Sequence, residues 1–297
     1  MAKPSDEQPQ TVAVIGTGKV GTAMAHLLSG SGYDVVAVTD RDEEARERAA
    51  GLSGAEAVDT AAHAAAAAQI ILITTPDGTI ADVCRTIAEA CAPLAGRKVI
   101  HMSGALSLGA LEPAARAGAD TLCIHPIQTF ADLEGAESSL PGSTFGVTCD
   151  PGLEEWARGF VSSLEGRVLM VADEDKVLYH AAAAVACNLL AMVEYGAQVI
   201  SRRLGFEDNQ ASEAFTPLAV ATAMNVGRLG PVDALTGPLA RGDLGTIRAH
   251  LEALEGFDPE LADMYRTVSR WGRRMVEEKG DLDRRTIDSM RELLDRG

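Results

Sequence analysis

Positive charge, aromatic side chains and paired cysteines are scarce in this chain of 297 residues, and each scarcity excludes a class of protein. The chain has 26 Lys and Arg residues and 43 Asp and Glu residues, which gives a formal net charge of −17. This charge repels nucleic acids and anionic membranes, so neither is expected as a partner. Aromatic residues make up 4% of the chain and hydrophobic residues 46%. This combination is typical of an alanine-rich α/β or all-α globular protein.

The cysteines are five in number and are scattered without a CxxC pair, at Cys84, Cys91, Cys123, Cys149 and Cys187. This pattern predicts reduced, mostly buried thiols, with a catalytic cysteine as the alternative. The first ten residues, MAKPSDEQPQ, are polar and predict neither a signal peptide nor an anchor. No apolar run approaches the ~20 residues that a membrane span requires. We therefore expect a cytoplasmic protein that does not contact a membrane.

The strongest motif lies in the segment TVAVIGTGKVG, from Thr11 to Gly21. Its consecutive apolar residues predict a short buried parallel strand, and a GxGxxG run follows before a helix-forming stretch. In such a unit the first glycine makes a tight turn, the second lets a pyrophosphate approach the backbone, and the third lets helix and strand pack closely. Free amide groups at the start of the helix face the phosphates. The predicted dinucleotide-binding residues are Gly16, Thr17, Gly18, Lys19, Val20 and Gly21.

Two other interpretations of this motif stay open. The glycines can serve only packing in a sheet that binds no phosphate. Alternatively, a flavin dinucleotide can bind to the same strand-turn-helix unit. A second predicted strand, Tyr33 to Thr39, ends in Asp40, where an acidic residue can bind the ribose hydroxyls of adenosine. Asp40 favours NAD because it repels a 2′-phosphate, whereas the neighbouring Arg41 is suited to binding that phosphate or stacking on adenine. The preference between NAD and NADP is therefore undecided.

Three later predicted strands, QIILITT, KVIHM and TLCI, also end in polar or glycine residues. Because the carboxyl ends of parallel strands meet at one edge of a sheet, we expect these ends to line one crevice. Segments Thr144 to Thr148 and Val168 to Val171 predict two further strands. The residues expected at the cofactor are Thr75, Pro76 and Ser103, and those expected at a substrate are Gly104, His125 and Gln128.

No strand is predicted after Asp173, and helical patterns run to the C-terminus. We therefore predict an α/β domain with a mostly parallel, doubly wound sheet over residues 9–171, followed by an all-α domain over residues 172–297. The second domain begins with the apolar run EDKVLYHAAAAVACNLLAMVEYGAQVISRRLG, which predicts one helix of about nine turns that ends at Gly205.

Polar residues in this apolar helix are candidates for chemistry. Lys176 and His180 lie one turn apart on one face, and Asn188 lies about two turns further and roughly 80° around the helix. Such groups need partners, and either a ligand or a neighbouring helix can supply them. The three histidines His101, His125 and His180 have neither local ligand spacing nor an accompanying carboxylate, so no metal site is expected.

The run TGPLARGD combines two turn-forming residues with a guanidinium group and a helix start. Thr236, Arg241 and Asp243 in this run are therefore candidates for binding a carboxylate or phosphate. The alternative is a connector between two helices that ends in an N-cap. Both interpretations stay open.

With these segments in view, the chain resembles the oxidoreductases that join a Rossmann-like domain to a domain of unknown function numbered 2520. They belong to the wider superfamily of 6-phosphogluconate, 3-hydroxyisobutyrate and ketopantoate dehydrogenases or reductases. The resemblance runs from the glycine loop to about Thr267 and is carried by VIGTGKVG, HMSGALS, HPIQTF, YHAAAAVACN and LTGPLARGD.

This resemblance implies NAD(P)-dependent hydride transfer in a cleft between a Rossmann domain and a helical domain, usually in a dimer. Better-known members carry a Lys on the first long helix and an Asn one turn later. Lys176 matches the Lys, but the position one turn later is His180 and the Asn comes only at Asn188. The proton donor therefore stays open between Lys176 and His180.

The expected reaction is reduction of a small 2-keto acid, with ketopantoate as the leading candidate by resemblance. A small carboxylate substrate and a homodimer formed through the helical domain are the expected partners. An imine reductase of the pyrroline-5-carboxylate reductase type is one alternative. A protein that senses NAD(P) without catalysis is the other.

Overall fold

The computed structural model describes residues 9–295 of the chain. The prediction of neither a signal peptide nor an anchor falls mostly on residues 1–8, which lie outside the described range. The last two residues of the predicted helical domain lie outside it as well. The chain divides into two compact units, one ending at Leu189 and one beginning at Leu190. Each is described by itself below.

The first unit is built on one eight-stranded sheet. Its strands stand in the spatial order β3-β2-β1-β4-β5-β6-β7-β8. All neighbouring pairs are parallel except β6 and β7, which are antiparallel. The strands are β1 (Thr11–Ile15), β2 (Asp34–Thr39), β3 (Glu56–Ala57), β4 (Ile70–Ile73), β5 (Lys98–His101), β6 (Asp120–Pro126), β7 (Thr144–Thr148) and β8 (Arg167–Met170).

Helices cover both faces of this sheet, and they explain why its strands are apolar without alternation. Along β1, Val12 and Val14 join one core cluster, and Ala13 and Ile15 join the other. The helices up to β8 are α1 (Lys19–Gly30), α2 (Glu43–Ser53), α3 (Ala61–Ala66), α4 (Asp77–Cys91), α5 (Glu112–Arg116), α6 (Leu133–Ser139) and α7 (Glu154–Ser163). The predicted fold class, a mostly parallel doubly wound domain followed by helices, is confirmed.

The connection after β4 is short, because Asp77 and Gly78 already belong to helix α4. Pro76 is the N-cap residue and has an extended backbone, which suits a proline at a helix start. The side chain of Asp77 therefore stands in the first helical turn, at the carboxyl edge of the sheet.

The apolar segment after β8 differs from the prediction of one uninterrupted helix. A 3₁₀ turn at Asp173–Asp175 leads into α8 (Lys176–Ala186), and α9 (Asn188–Arg203) follows after Cys187, whose backbone angles leave the regular helical range. The expectation that no apolar run is long enough for a membrane span was wrong. The stretch Asp173–Arg203 passes that test by length and composition alone, a test that core helices of soluble proteins also pass.

One compact unit ends at Leu189 and the other begins at Leu190. The domain bounds at residues 171 and 172 stay a prediction. No strand is found between Arg167–Met170 and residue 295.

The second unit consists of helices with clear start and stop signals. Glu207 and Gln210 form a capping box at the start of the first helix after α9, and Gly280 adopts the left-handed conformation that ends the penultimate one. These helices are α10 (Asp208–Leu229), α11 (Pro231–Ala234), α12 (Gly237–Arg241), α13 (Leu244–Phe257), α14 (Pro259–Lys279) and α15 (Arg284–Asp295). Ile247, Leu251, Met290 and Leu294 form the core between α13 and α15.

Candidate functional site

The three glycines of the GxGxxG run have three different environments. Gly16 has a φ of +98°, a conformation that favours glycine, at the turn out of β1. A Cβ atom on Gly18 would meet nothing within 4 Å, so the backbone there is open to a ligand. A Cβ atom on Gly21 would lie 1.9 Å from the carbonyl oxygen of Gly16, so only glycine lets α1 approach β1 this closely.

The start of α1 offers unpaired amide groups to an anion. Gly18 is its N-cap residue and has no side chain to cap the helix, and the first turn contains no acidic residue. Within residues 9–295, no hydrogen bond acceptor is found for the amide groups of Gly18, Lys19 and Val20. The hydroxyl oxygen of Thr17 is buried beside them and has no hydrogen bond partner within the same residues. This cradle has the form of a diphosphate site.

The amide group of Thr17 is the exception, because the chain itself already binds it. It donates a hydrogen bond of 2.6 Å to Oδ2 of Asp40, and Oδ1 of the same carboxylate accepts a hydrogen bond of 3.0 Å from the amide of Asp42. Asp40 therefore closes the glycine loop onto the end of β2. The predicted anion site therefore lacks the amide group of Thr17 and begins at Gly18.

Arg41 follows Asp40 and is exposed. Its guanidinium group makes no hydrogen bond or ion pair with the described part of the chain. The fixed carboxylate of Asp40 opposes a 2′-phosphate and the free guanidinium group of Arg41 favours one, so the choice between NAD and NADP is as open as in the sequence.

The neighbouring loops hold the glycine loop from two sides. The hydroxyl group of Thr74 donates to the carbonyl oxygen of Gly16 at 2.6 Å. Lys19, predicted to contact the cofactor, points its ammonium group at the carbonyl oxygens of Phe130 and Ala131. Thr75 has a buried hydroxyl oxygen without a partner in the described chain, and Pro76 is exposed next to it.

Ser103, at the end of β5, has its hydroxyl group fully engaged. This hydroxyl donates to Asp77 Oδ2 at 2.8 Å and accepts from the amides of Ala105 and Leu106 at 3.2 and 3.1 Å. One donor and two acceptor positions are all that a hydroxyl group has. A direct contact of Ser103 with a ligand, as the sequence predicts, requires the exchange of one of these partners.

Lys176, the first residue of α8, is buried below the same edge, with 1% of its surface exposed. Its ammonium group donates to the carbonyl oxygen of Ser103 at 3.0 Å and to Sγ of Cys123 at 2.8 Å. The Cys123 thiol in turn donates to the same carbonyl oxygen at 3.2 Å. Lys176 therefore ties α8 to the loop after β5 and to the middle of β6.

Two imidazole rings meet at Gly104. A Cβ atom on this glycine would lie 2.5 Å from Nδ1 of His180 and 2.9 Å from Nε2 of His125. The two ring centroids are 6.0 Å apart in an edge-to-face arrangement. His180 is exposed and His125 is half-buried. The structure thus adds His180 to two residues, Gly104 and His125, that the sequence predicts at one edge of the sheet.

Tyr179 was missed by the sequence analysis. Its hydroxyl group lies 2.8 Å from Nδ1 of His125, and the two rings stand edge to face at 90°. A Cβ atom on Gly146 of β7 would lie 2.2 Å from this hydroxyl oxygen. A glycine inside a strand marks a close approach of another group, so Gly146 was a signal in the sequence.

Burial and the Lys176 ammonium group set the protonation of this cluster. Burial, and then the charge of Lys176, lower the pKa of both His101 and His125 to about 4. Burial raises the pKa of the Cys123 thiol above its ordinary value, although the adjacent ammonium group opposes this shift. Both imidazoles are therefore neutral at pH 7 and Cys123 is a thiol.

The other predicted residues are not part of this cluster. Gln128 and Asn188 are exposed, and Gln128 bonds through its side-chain oxygen to the amide of Thr129. No group of three or more His, Cys, Asp or Glu residues suited to a metal ion is found between residues 9 and 295.

Three predicted residues lie in the second unit. Asp243 is the N-cap of α13, with its carboxylate accepting from the amide and the hydroxyl of Thr246 at 3.0 and 2.7 Å. This carboxylate itself occupies the start of α13, which was the candidate anion site. Asp243 therefore fits the alternative interpretation, a connector between two helices that ends in an N-cap. Arg241 and Thr236 are exposed at the two ends of α12.

Two family models match successive parts of the chain. A Rossmann-like domain matches residues 3–126, and a domain of unknown function, DUF2520, matches residues 143–271. The chain thus carries a Rossmann-like domain followed by a DUF2520 domain.

Solved structures share this architecture over nearly the whole chain. A candidate NADP oxidoreductase from Bacteroides fragilis is 24% identical, with 89% of this chain and 98% of that one covered at a TM-score of 0.73. An imine reductase from Streptomyces aurantiacus is 18% identical, with 97% and 100% covered at 0.66. A pyrroline carboxylate reductase from Plasmodium falciparum with NADP bound is 12% identical, with 98% and 100% covered at 0.62. At these identities the likeness establishes the fold.

Proposed function

We propose that this chain, in which a Rossmann-like domain precedes a DUF2520 domain, is an NAD(P)-dependent oxidoreductase. The observation that carries the proposal is the start of α1, where Gly18 is open and three amide groups have no acceptor in the described chain. A helix start of this kind is suited to binding the phosphate groups of a dinucleotide. The proposal includes membership of the superfamily of 6-phosphogluconate and ketopantoate dehydrogenases or reductases.

The similar structures support an oxidoreductase, because those whose names state an activity are oxidoreductases or reductases. Two substrate classes follow. Reduction of a small 2-keto acid, with ketopantoate as the first candidate, is the expectation from the sequence motifs. Reduction of a C=N bond is the second candidate, and it is favoured by the imine reductase and pyrroline carboxylate reductase among the similar structures.

A bound nicotinamide would supply the hydride, and the chain's residues would orient the substrate and move the proton. Between the two candidate proton donors, exposure favours His180 over Lys176. Lys176 is 1% exposed, and two of its three N–H groups already donate hydrogen bonds to Ser103 and Cys123. We assign to Lys176 a buried positive charge that orders the sheet edge, and to His180 the proton that reaches the reduced substrate.

A substrate carboxylate also needs a cation or a set of amide groups. Arg241 of the second unit is exposed and makes no ion pair within the described chain, and its contact with a carboxylate stays a prediction. We assign no substrate contact to Asp243, because its carboxylate caps α13. Asn188, Gln128 and Thr236 stay predicted contacts.

We also propose that the chain forms a homodimer through its helices. Large apolar side chains on α8, α9 and α10 are exposed, among them Leu178 (75%), Leu218 (64%) and Met224 (71%). Exposed apolar surface of this extent is characteristic of a protein interface. Sedimentation velocity measures the mass directly, and a monomer at micromolar concentration would contradict the proposal.

The decisive experiment measures binding and turnover separately. Isothermal titration with NADH and NADPH tests the glycine loop, and oxidation of each dinucleotide over a panel of 2-keto acids and cyclic imines tests the reaction. Turnover of ketopantoate or of a cyclic imine selects between the two substrate classes. Tight dinucleotide binding without any turnover supports the remaining alternative, a sensor of NAD(P), and the absence of binding refutes the proposal.

A further inference from the structure

Tyr179 and His125 form a hydrogen-bonded pair that the reaction outlined above does not use. Their hydroxyl oxygen and Nδ1 atoms are 2.8 Å apart. No other described residue forms a hydrogen bond with the Tyr179 hydroxyl group, which lies close against the backbone of Gly146. The pair therefore has only two possible arrangements, distinguished by which partner donates the proton.

The surroundings select the arrangement in which the tyrosine donates. If Nδ1 of His125 donated, the phenol hydrogen of a half-buried tyrosine would have no acceptor within the described chain, which is unfavourable. If the tyrosine donates, Nδ1 is an acceptor and the single proton of the neutral imidazole must be on Nε2. Burial raises the pKa of Tyr179, which keeps it a phenol and therefore a donor.

Nε2 is the second ring nitrogen of His125. A Cβ atom on Gly104 would lie 2.9 Å from it and 2.5 Å from Nδ1 of His180, and Nε2 has no hydrogen bond partner within residues 9–295. We propose that Tyr179 is a positioning residue that holds His125 in the Nε2–H tautomer, so that a neutral imidazole presents one N–H donor to the oxygen or nitrogen of the substrate's double bond. This role rests on the proposed reductase function, whereas the tautomer itself does not.

The tautomer is measured directly in protein labelled with ¹⁵N-histidine. Long-range ¹H–¹⁵N correlation distinguishes a protonated from an unprotonated ring nitrogen, and His125→Gln assigns the signals. The expected result for the unmodified chain is an unprotonated Nδ1 and a protonated Nε2 in His125. In Tyr179→Phe both nitrogens shift toward the average of the two tautomers.

The chain contains a matched control in the second unit. Tyr265 makes the same contact with His250, with 3.0 Å between its hydroxyl oxygen and Nδ1 and an edge-to-face ring arrangement at 85°. Tyr265→Phe is expected to change the His250 signals and leave those of His125 unchanged. A protonated Nδ1 in the unmodified chain overturns the proposal even if Tyr179→Phe fails to fold, and so does an unchanged His125 tautomer in a folded Tyr179→Phe variant.

Kinetics then separate this inference from the proposed function. With a substrate identified, Tyr179→Phe should lower kcat by up to roughly 10-fold, which is the effect expected from the loss of one neutral hydrogen bond. The dissociation constant for the dinucleotide should not change. An unchanged kcat overturns the positioning role alone, whereas absence of turnover from the unmodified chain with every substrate refutes the proposed function and leaves the tautomer measurement valid.

Discussion

Replacing Gly18 or Gly21 with alanine adds the same methyl group at two places three residues apart, with opposite expected consequences. Gly18 has φ −64° and ψ −166°, which alanine adopts without strain, and its Cβ atom would meet nothing. Gly→Ala at such a site gains ~0.4–1 kcal/mol through the unfolded state. Alanine is also a poorer N-cap than glycine by a similar amount, about 0.5–1 kcal/mol. Gly18→Ala should therefore change the free energy of unfolding by less than about 1 kcal/mol.

Its effect on dinucleotide binding should be large, because the added methyl group occupies the space through which a phosphate reaches the amides. A loss of at least tenfold in affinity, about 1.4 kcal/mol, is expected. Gly21→Ala should do the reverse. Its Cβ atom would lie 1.9 Å from a backbone oxygen, which cannot rotate away, so we expect a destabilisation of ~3 kcal/mol.

Thermal melting and NADH titration on both variants test this reasoning. For a domain of this size ~3 kcal/mol corresponds to a fall of roughly 6–12 °C in the Tm of the α/β unit. A Gly18→Ala variant that melts and binds like the unmodified chain would refute the dinucleotide site at α1. A Gly21→Ala variant of unchanged Tm would refute the packing argument.

Three further predictions concern the charged and titratable groups. Asp40→Asn should improve binding of NADPH relative to NADH about fivefold, because it removes a charge whose repulsion is worth ~1 kcal/mol in water at 4 Å; titration with both dinucleotides measures the ratio. The free energy of unfolding should fall as the pH drops from 6.5 toward 4. In the folded chain His101 and His125 have pKa values of about 4 and stay neutral over most of this range, whereas in the unfolded chain their imidazoles bind protons. The loss is on the order of 3 kcal/mol for each imidazole and is measured by urea unfolding at several pH values. Lys176→Met should raise the pKa of His125 only part of the way to 6.5, since burial is the larger cause, and should lower turnover sharply while leaving dinucleotide binding intact; NMR titration and steady-state kinetics measure these.

Each of these predictions has a control and an opposing outcome. Asp42→Asn removes a neighbouring carboxylate that caps α2 and should leave the NADPH to NADH ratio unchanged. Lys98→Met removes an ammonium group paired with Asp120 at the other end of β5 and should not move the pKa of His125. An unchanged ratio in Asp40→Asn, an unchanged His125 pKa in Lys176→Met, or flat stability between pH 6.5 and 4 would contradict the respective argument.

The presence of the strands and the different backbone environments of the three glycines could be predicted from the sequence, because both depend on local patterns. A run of four apolar residues followed by GxGxxG encodes β1, its turn and the close packing of α1 without reference to distant residues. The strand ends at Ser103, Gly104 and His125 could be placed at one edge for the same reason, through the parallel topology.

The bonds between these strand ends could not be predicted, because they depend on side-chain direction. The sequence indicates a carboxylate at Asp40 but not that the amide of Thr17 is already bound to it. The one-turn spacing predicts Lys176 and His180 on one face of a helix, yet the structure has Lys176 buried and His180 exposed. Tyr179, between them, reaches His125 across the sheet edge, a contact that no helical periodicity encodes.

The ammonium group of Lys176 joins the beginning of α8 to the loop after β5 and to the middle of β6, so the paired imidazoles and the glycine loop are all encoded before Leu189. Recombination downstream of that residue would exchange most of the helical unit without rewriting the dinucleotide cradle or the histidine pair.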